Sequence, residues 1–78
     1  MNREIIKQVD QVAVQMEEKY GYIDRLLELV PEDLAAKFTR AKEKFDKAIS
    51  SNNALDMDRF GQALIRGYKA LDNIAKDT

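Results

Sequence analysis

The sequence predicts an all-α fold, an up-down-up three-helix bundle, and two observations support this prediction. Apolar residues recur at alternating steps of three and four along three stretches, which is the spacing that places side chains on one side of an α-helix. The chain's one proline and a short polar run separate these stretches, and connections this short make successive helices antiparallel neighbours. We therefore expect residues 1–78 to form one helical domain.

The first helix is predicted over about residues 3–29. Its main apolar row and a second row beside it consist of Ile5, Val9, Val12, Met16, Ile23, Leu26 and Val30, and of Ile6, Ala13, Tyr20 and Leu27. Because the phase of these rows continues across Gly21, we expect one long helix that is bent there, with a break over residues 20–22 as the alternative. Asn2 is a candidate N-cap residue for this helix.

The second and third helices are predicted over about residues 31–49 and 54–75. Pro31 suits the first helical position, and the acidic residues Glu32 and Asp33 that follow it favour the N-terminal end of a helix dipole. The polar residues 50–53 form the second turn. Asp56 follows Asn53 at the spacing of a capping box, which predicts that these two residues begin the third helix.

The third helix is apolar over an arc of roughly 220°, whereas a helix that lies on one surface needs only about 100°. We therefore expect it to be the central helix, covered from two directions. Gly67 lies on this arc, which indicates a close approach by a neighbouring backbone. The width of the arc and the length of the first helix leave apolar surface over, so we expect the chain to form a homo-oligomer or to bind another protein.

Composition argues against several classes of function. The chain has no Cys and no His, so thiolate chemistry is impossible and the commonest general base and metal ligand is missing. We expect no enzymatic activity, no cofactor, no metal and no small-molecule ligand. No apolar run is long enough to span a membrane, and the N-terminal residues do not resemble a signal peptide, so we expect a cytoplasmic protein.

The preferred interpretation is a non-enzymatic protein–protein interaction or assembly module. The candidate residues of its partner or oligomer surface are apolar or aromatic: Ile5, Val12, Met16, Tyr20, Tyr22, Ile65 and Tyr68. A tyrosine with an apolar ring and a polar tip is common at interfaces, although a ring in the core with its hydroxyl at the edge is the simpler explanation of each one.

The alternative interpretation is a nucleic-acid-associated helical protein. Two rows without acidic residues, on the second and third helices, supply its candidate contacts: Lys37, Arg40, Lys44 and Lys47, and Arg59, Arg66 and Lys69. Such rows can follow a phosphate backbone, but they are also what any solvated helix face presents. The turn over residues 50–53 has the length of a helix-turn-helix connection, yet the third helix is too apolar to lie in a DNA groove.

The segments VPEDLAAKFTRAKEKFDKAI and ALIRGYKALDNIA resemble small helical accessory proteins of bacteriophages and prophages. The resemblance covers about residues 30–75 and contains no motif with an assignable role. It implies a protein that assembles with other proteins or works beside DNA during packaging.

Overall fold

The structure, a computed structural model, describes residues 3–76 and confirms the all-α prediction. The described residues form four helices and no strand: α1 Arg3–Tyr20, α2 Ile23–Leu29, α3 Glu32–Ser50 and α4 Ala54–Lys76. The predicted N-cap residue Asn2 lies outside the described residues. None of these helices combines the length and the apolar character that crossing a membrane requires.

The prediction of a single helix over residues 3–29 is wrong, because the helix is interrupted between Tyr20 and Ile23. The interruption is the alternative that the sequence also allowed. Gly21 has a φ of 80°, in the left-handed region that glycine enters at no steric cost, and Tyr22 is extended. The apolar heptad pattern of the sequence continues across Gly21 because Leu26 and Val30, beyond the interruption, are also core residues, 3% and 8% exposed. They reach the core because α2 folds back onto the other three helices, which a straight helix could not do.

The predicted beginnings of α3 and α4 are close to those observed. Pro31 is the N-cap residue of α3 instead of its first helical residue, and its carbonyl accepts hydrogen bonds from the backbone amides of Leu34 and Ala35. At α4, Asn53 Oδ1 accepts a 3.2 Å hydrogen bond from the Asp56 amide, and Asn53 Nδ2 donates a 3.0 Å bond to Asp56 Oδ2. The reciprocal pair predicted from the spacing therefore forms, although the aspartate reaches the asparagine side chain and not its backbone amide.

Helix α4 is the central helix of the fold and packs against all three others. α1 runs parallel to it, because Ile5 lies beside Gly61 and Tyr20 lies beside Asp72. α3 runs antiparallel, because Phe45 lies beside the same Gly61 whereas the earlier Phe38 lies beside Gly67.

The close approach at Gly67 is made by a side chain and not by the backbone that was expected: the Phe38 ring lies 2.8 Å from the position a Cβ atom would occupy. Gly61 allows a second close approach, because a Cβ atom there would overlap Ile5 Cγ1 and lie 3.1 Å from Phe45 Cε1. The two glycines thus let α1 and α3 come close to the central helix.

The core contains side chains from all four helices and from Val30. Its buried members are Ile5, Val9, Met16, Leu26, Val30, Phe38, Phe45, Ala48, Met57, Leu64, Tyr68 and Leu71. The wide apolar arc of α4 is covered from two directions by α1 and α3, and the residues at its edges, such as Ile65, are half-buried. The arc of α4 is therefore largely covered, and Leu55 at the start of the helix is its one mostly exposed large apolar residue.

Candidate functional site

Helices α1 and α3 flank α4, and their backbones do not approach each other closely, which leaves a groove. No Cα atom of α1 lies within 8 Å of a Cα atom of α3. The groove between them has a volume of about 200 Å³. Gly21, Ile23 and Leu26 line the part of it that α2 and the preceding turn contribute.

The lining of the groove is mainly apolar. Its side chains from the three long helices are Ile6, Val9, Ala13 and Met16 of α1, Phe45 and Ile49 of α3, and Leu64 and Tyr68 of α4. Ile6 and Ala13 are half-buried, and Ile49 remains 39% exposed. The groove therefore presents apolar surface that the chain's own helices do not cover.

The charged residues that line the groove are mostly acidic. Asp10 and Glu17 project from α1 and Asp46 projects from α3, and all three are exposed. Lys42 is the one basic residue among the lining residues that the structure describes, and no ion pair to it forms within residues 3–76. Among those residues no three carboxylates cluster closely enough to hold a metal ion, so the acids give the groove a negative charge and not a set of metal ligands.

Tyr68 connects the core to the groove. Its ring meets Phe38 edge to face, with centroids 4.9 Å apart, and only 6% of the residue is exposed. Burial raises the pKa of Tyr68, and the negative charges of Glu17, Asp10 and Asp46 raise it further. The three carboxylates from both walls of the groove therefore act together on one point of its lining.

Three of the seven residues predicted for a partner surface are core residues of the single chain. Ile5 and Met16 are 3% and 6% exposed, and Tyr68 is as buried as Met16. This part of the predicted surface is corrected. The main apolar row of α1 packs against α4, and Tyr68 of α4 packs against Phe38 of α3. Val12, Tyr20 and Ile65 are half-buried, and Tyr22 is 76% exposed in the turn after α1.

The most exposed large apolar side chains do not form one patch. Leu55 is 84% exposed at the start of α4, and Leu29 is 66% exposed at the end of α2. Val14 is 52% exposed and is surrounded on α1 by polar residues such as Gln11 and Glu18. Single exposed apolar residues of this kind are normal for a protein surface and do not by themselves mark a binding site.

All seven basic residues predicted for nucleic-acid contact are exposed. The two rows meet at Phe60, where Lys44 Nζ of α3 lies 5.4 Å and Arg59 Cζ of α4 lies 5.9 Å from the ring centroid. Lys69 faces a different direction, towards α1, where it lines a small hollow with Lys19 and Asp72. The two rows therefore share one end and do not form one continuous surface.

Met16 and Tyr68 are the two groove residues that the predicted surface included. The other groove residues were absent from it, although a signal for them exists. Ile6 and Ala13 belong to the second apolar row of the first helix, and Ile49 lies beside the main row of α3. An apolar face with two rows is wider than one neighbouring helix can cover. The second row of α1 stays open because α3 does not come close to α1, and the sequence pattern does not specify that distance.

Comparison with protein-family models, with curated proteins and with solved structures finds no match to this chain.

Proposed function

We propose that this protein is a non-enzymatic interaction module that binds another polypeptide in the groove between α1 and α3. In this function α1, α3 and α4 act as an up-down-up three-helix bundle, and the two outer helices, α1 and α3, stand apart. The observation that carries it is the absence of any close backbone approach between α1 and α3, which leaves Ile6, Ala13 and Ile49 partly exposed in a shared depression.

The size of the groove supports a polypeptide partner over a small-molecule substrate. Pockets that enclose small ligands have volumes of about 300–1,000 Å³. The groove, at about 200 Å³, is smaller and suits one or two inserted side chains of a longer segment. Assembly of proteins is also what the resemblance to phage accessory proteins implies, and the lack of Cys and His leaves few groups for catalysis.

The test compares two tryptophan variants that differ by one position on α1. Ala13→Trp places a large ring in the groove, whereas Val14→Trp places the same ring on the exposed polar side of the helix. Wild-type protein and both variants serve as baits for a library of random peptides displayed on phage. We expect wild type and Val14→Trp to enrich the same peptides, and Ala13→Trp to bind those peptides at least about tenfold more weakly.

The natural chain has no tryptophan, so each variant also reports its own environment by fluorescence. Blue-shifted emission from Ala13→Trp and red-shifted emission from Val14→Trp establish that the two rings occupy the intended places. Circular dichroism of each variant establishes that the helices are retained. Peptide binding that is equal in all three proteins, or that is absent from wild type, would contradict the proposal.

A second candidate function is contact with a phosphate backbone, and the position of Phe60 favours it. Lys44 and Arg59 come from different helices and both lie over this aromatic ring. A ring between two cations can stack on a base while the cations contact phosphates. Asp56 lies in the same shallow depression as Lys44, Lys47 and Phe60, and its carboxylate weakens the attraction for an anion. This candidate therefore ranks second.

A further inference from the structure

The acidic rim of the groove indicates the chemistry of its partner, and this inference rests on the proposed function. We propose that the groove binds an amphipathic helix whose apolar stripe is flanked by lysine or arginine, and that this helix belongs to a different protein. Charge complementarity, the spacing of the carboxylates and the surface that a second copy could offer all support this assignment.

Charge complementarity comes from both walls of the groove. Asp10 and Glu17 lie on α1, Asp46 lies on α3, and among residues 3–76 the lining contains one basic residue, Lys42. Burial is the largest cause that raises the pKa of Tyr68, and the charges of all three carboxylates add to it, which agrees with their positions around this part of the groove. A bound segment with cationic side chains on both sides of its apolar stripe would therefore meet a carboxylate on each wall.

The spacing of the acids fits a helical partner. Asp10 and Glu17 are seven residues apart on α1, which corresponds to about 10 Å along a helix. A helix lying along α1 repeats its own side chains at the same interval, so two of its cations can face these two carboxylates. Its apolar residues at the intervening positions would then enter the groove between Ala13 and Ile49, as in other helix-in-groove complexes.

A second copy of the chain is a poor occupant for the same reasons. In a symmetric dimer with groove against groove, the two acidic rims would face each other and repel. In an asymmetric contact, a copy would have to present an exposed helix face that is both basic and apolar. The basic row of α4 includes Arg59, Arg66 and Lys69, and of the large apolar side chains of that helix only Leu55, at one end, is mostly exposed.

The experiment uses a peptide library with a fixed helical template. Leucine occupies the positions of the apolar stripe, and each flanking position is lysine or glutamate at random. Selection on the wild-type protein is expected to enrich lysine at the flanking positions several-fold over the starting library. The affinity of a selected lysine-flanked peptide is expected to fall as salt is added, because the rim charges are exposed and screened.

Two charge-reversal variants test whether the groove carboxylates cause the preference for lysine. In the groove variant Asp10→Lys, Glu17→Lys and Asp46→Lys are combined. In the control variant Glu18→Lys, Glu43→Lys and Asp58→Lys, all exposed and outside the groove lining, give the same change in net charge. We expect the groove variant to lose the preference for lysine or to reverse it, and the control variant to keep it.

Each other outcome has a defined meaning. If the enriched peptides show no preference for lysine, or if both charge-reversal variants lose that preference equally, the inference of a basic partner is overturned and the proposed function is left intact. Failure of every library member to bind overturns the proposed function as well. Light scattering covers the remaining occupant, because a wild-type dimer that Ala13→Trp converts to a monomer would identify a second copy in the groove and overturn the inference. If the groove variant does not fold, the salt dependence of wild-type binding decides the question alone.

Discussion

The hydroxyl of Tyr20 donates a 2.5 Å hydrogen bond to Asp72 Oδ1, which joins the last residue of α1 to the final turns of α4. Lys19 Nζ and Lys76 Nζ each lie 3.6 Å from the same carboxylate. The bond holds the end of α1 where the chain turns at Gly21, so it also fixes the point from which α2 folds back.

Tyr20→Phe should lower the midpoint of thermal unfolding at neutral pH. The substitution keeps the ring and removes the hydrogen bond to a charged acceptor. Tyr22→Phe is the matched control, because Tyr22 is 76% exposed and its substitution should leave the midpoint unchanged. Equal midpoints for the two variants would show that the Tyr20–Asp72 bond contributes nothing measurable.

The contribution of the Tyr20 hydroxyl to the stability of the fold should disappear in strong alkali. The hydrogen bond to Asp72, with burial and the charge of Asp72, raises the pKa of Tyr20. A raised pKa in the folded state means that its stabilisation is complete below the ordinary tyrosine pKa and is lost as pH rises through the raised value. The difference in unfolding midpoint between wild type and Tyr20→Phe, measured over an alkaline pH series, should therefore shrink only at the alkaline end.

Asp72 should stabilise the fold at neutral pH and lose this effect in acid. The Tyr20 hydrogen bond is the largest cause that lowers the pKa of Asp72, and Lys19 and Lys76 add to it, against burial. A lowered folded-state pKa gives stability that is present above the ordinary aspartate pKa and lost as pH falls through the lowered value. Asp72→Asn should unfold at a lower urea concentration than wild type at neutral pH. In acid, the urea unfolding curves of the two proteins should converge. Asp58→Asn removes one exposed charge from the same helix and should behave as wild type at both pH values.

Gly61→Ala should destabilise the protein by about 1–3 kcal/mol, although alanine favours a helix more than glycine does. The added methyl group would overlap Ile5 Cγ1 and press on Phe45, which are both core side chains. Gln62→Ala, at the exposed neighbouring position, should be neutral or slightly stabilising. Chemical denaturation of both variants checks the pair, and a Gly61→Ala variant as stable as wild type would mean that α1 and α3 can move outward freely.

Gly21→Val should also destabilise, for a conformational reason instead of a clash. No atom lies within 4 Å of the position a Cβ atom would take, but the φ of 80° costs a residue with a side chain about 1–2 kcal/mol. Gly21→Asn should cost less, because asparagine tolerates the left-handed region. Gly21→Ala should cost more than Gly21→Asn although alanine is the smaller residue. This order, measured by urea unfolding, distinguishes the conformational explanation from a packing effect, for which the cost would rise with side-chain volume.

The sequence by itself determined the fold class, the boundaries of α3 and α4, and most of the core. Period and capping are local properties, so Asn53 and Asp56 specify the start of α4, and the row containing Phe38 and Phe45 specifies the inner face of α3. The break at Gly21 was weighed from the sequence and not chosen. Leu26 and Val30 keep the same heptad phase whether the helix continues or folds back, so periodicity alone cannot separate the two.

The tertiary structure alone decided which apolar surface stays open. The wide arc of α4 indicated surplus surface on that helix, but α1 and α3 cover it from two sides. The opening lies between α1 and α3, where Ala13 and Ile49 face a shared groove beside Asp10 and Asp46. The distance between two helices that both pack on a third depends on side-chain volumes at every contact, such as those at Gly61 and Gly67, and no periodic pattern within one helix contains that information.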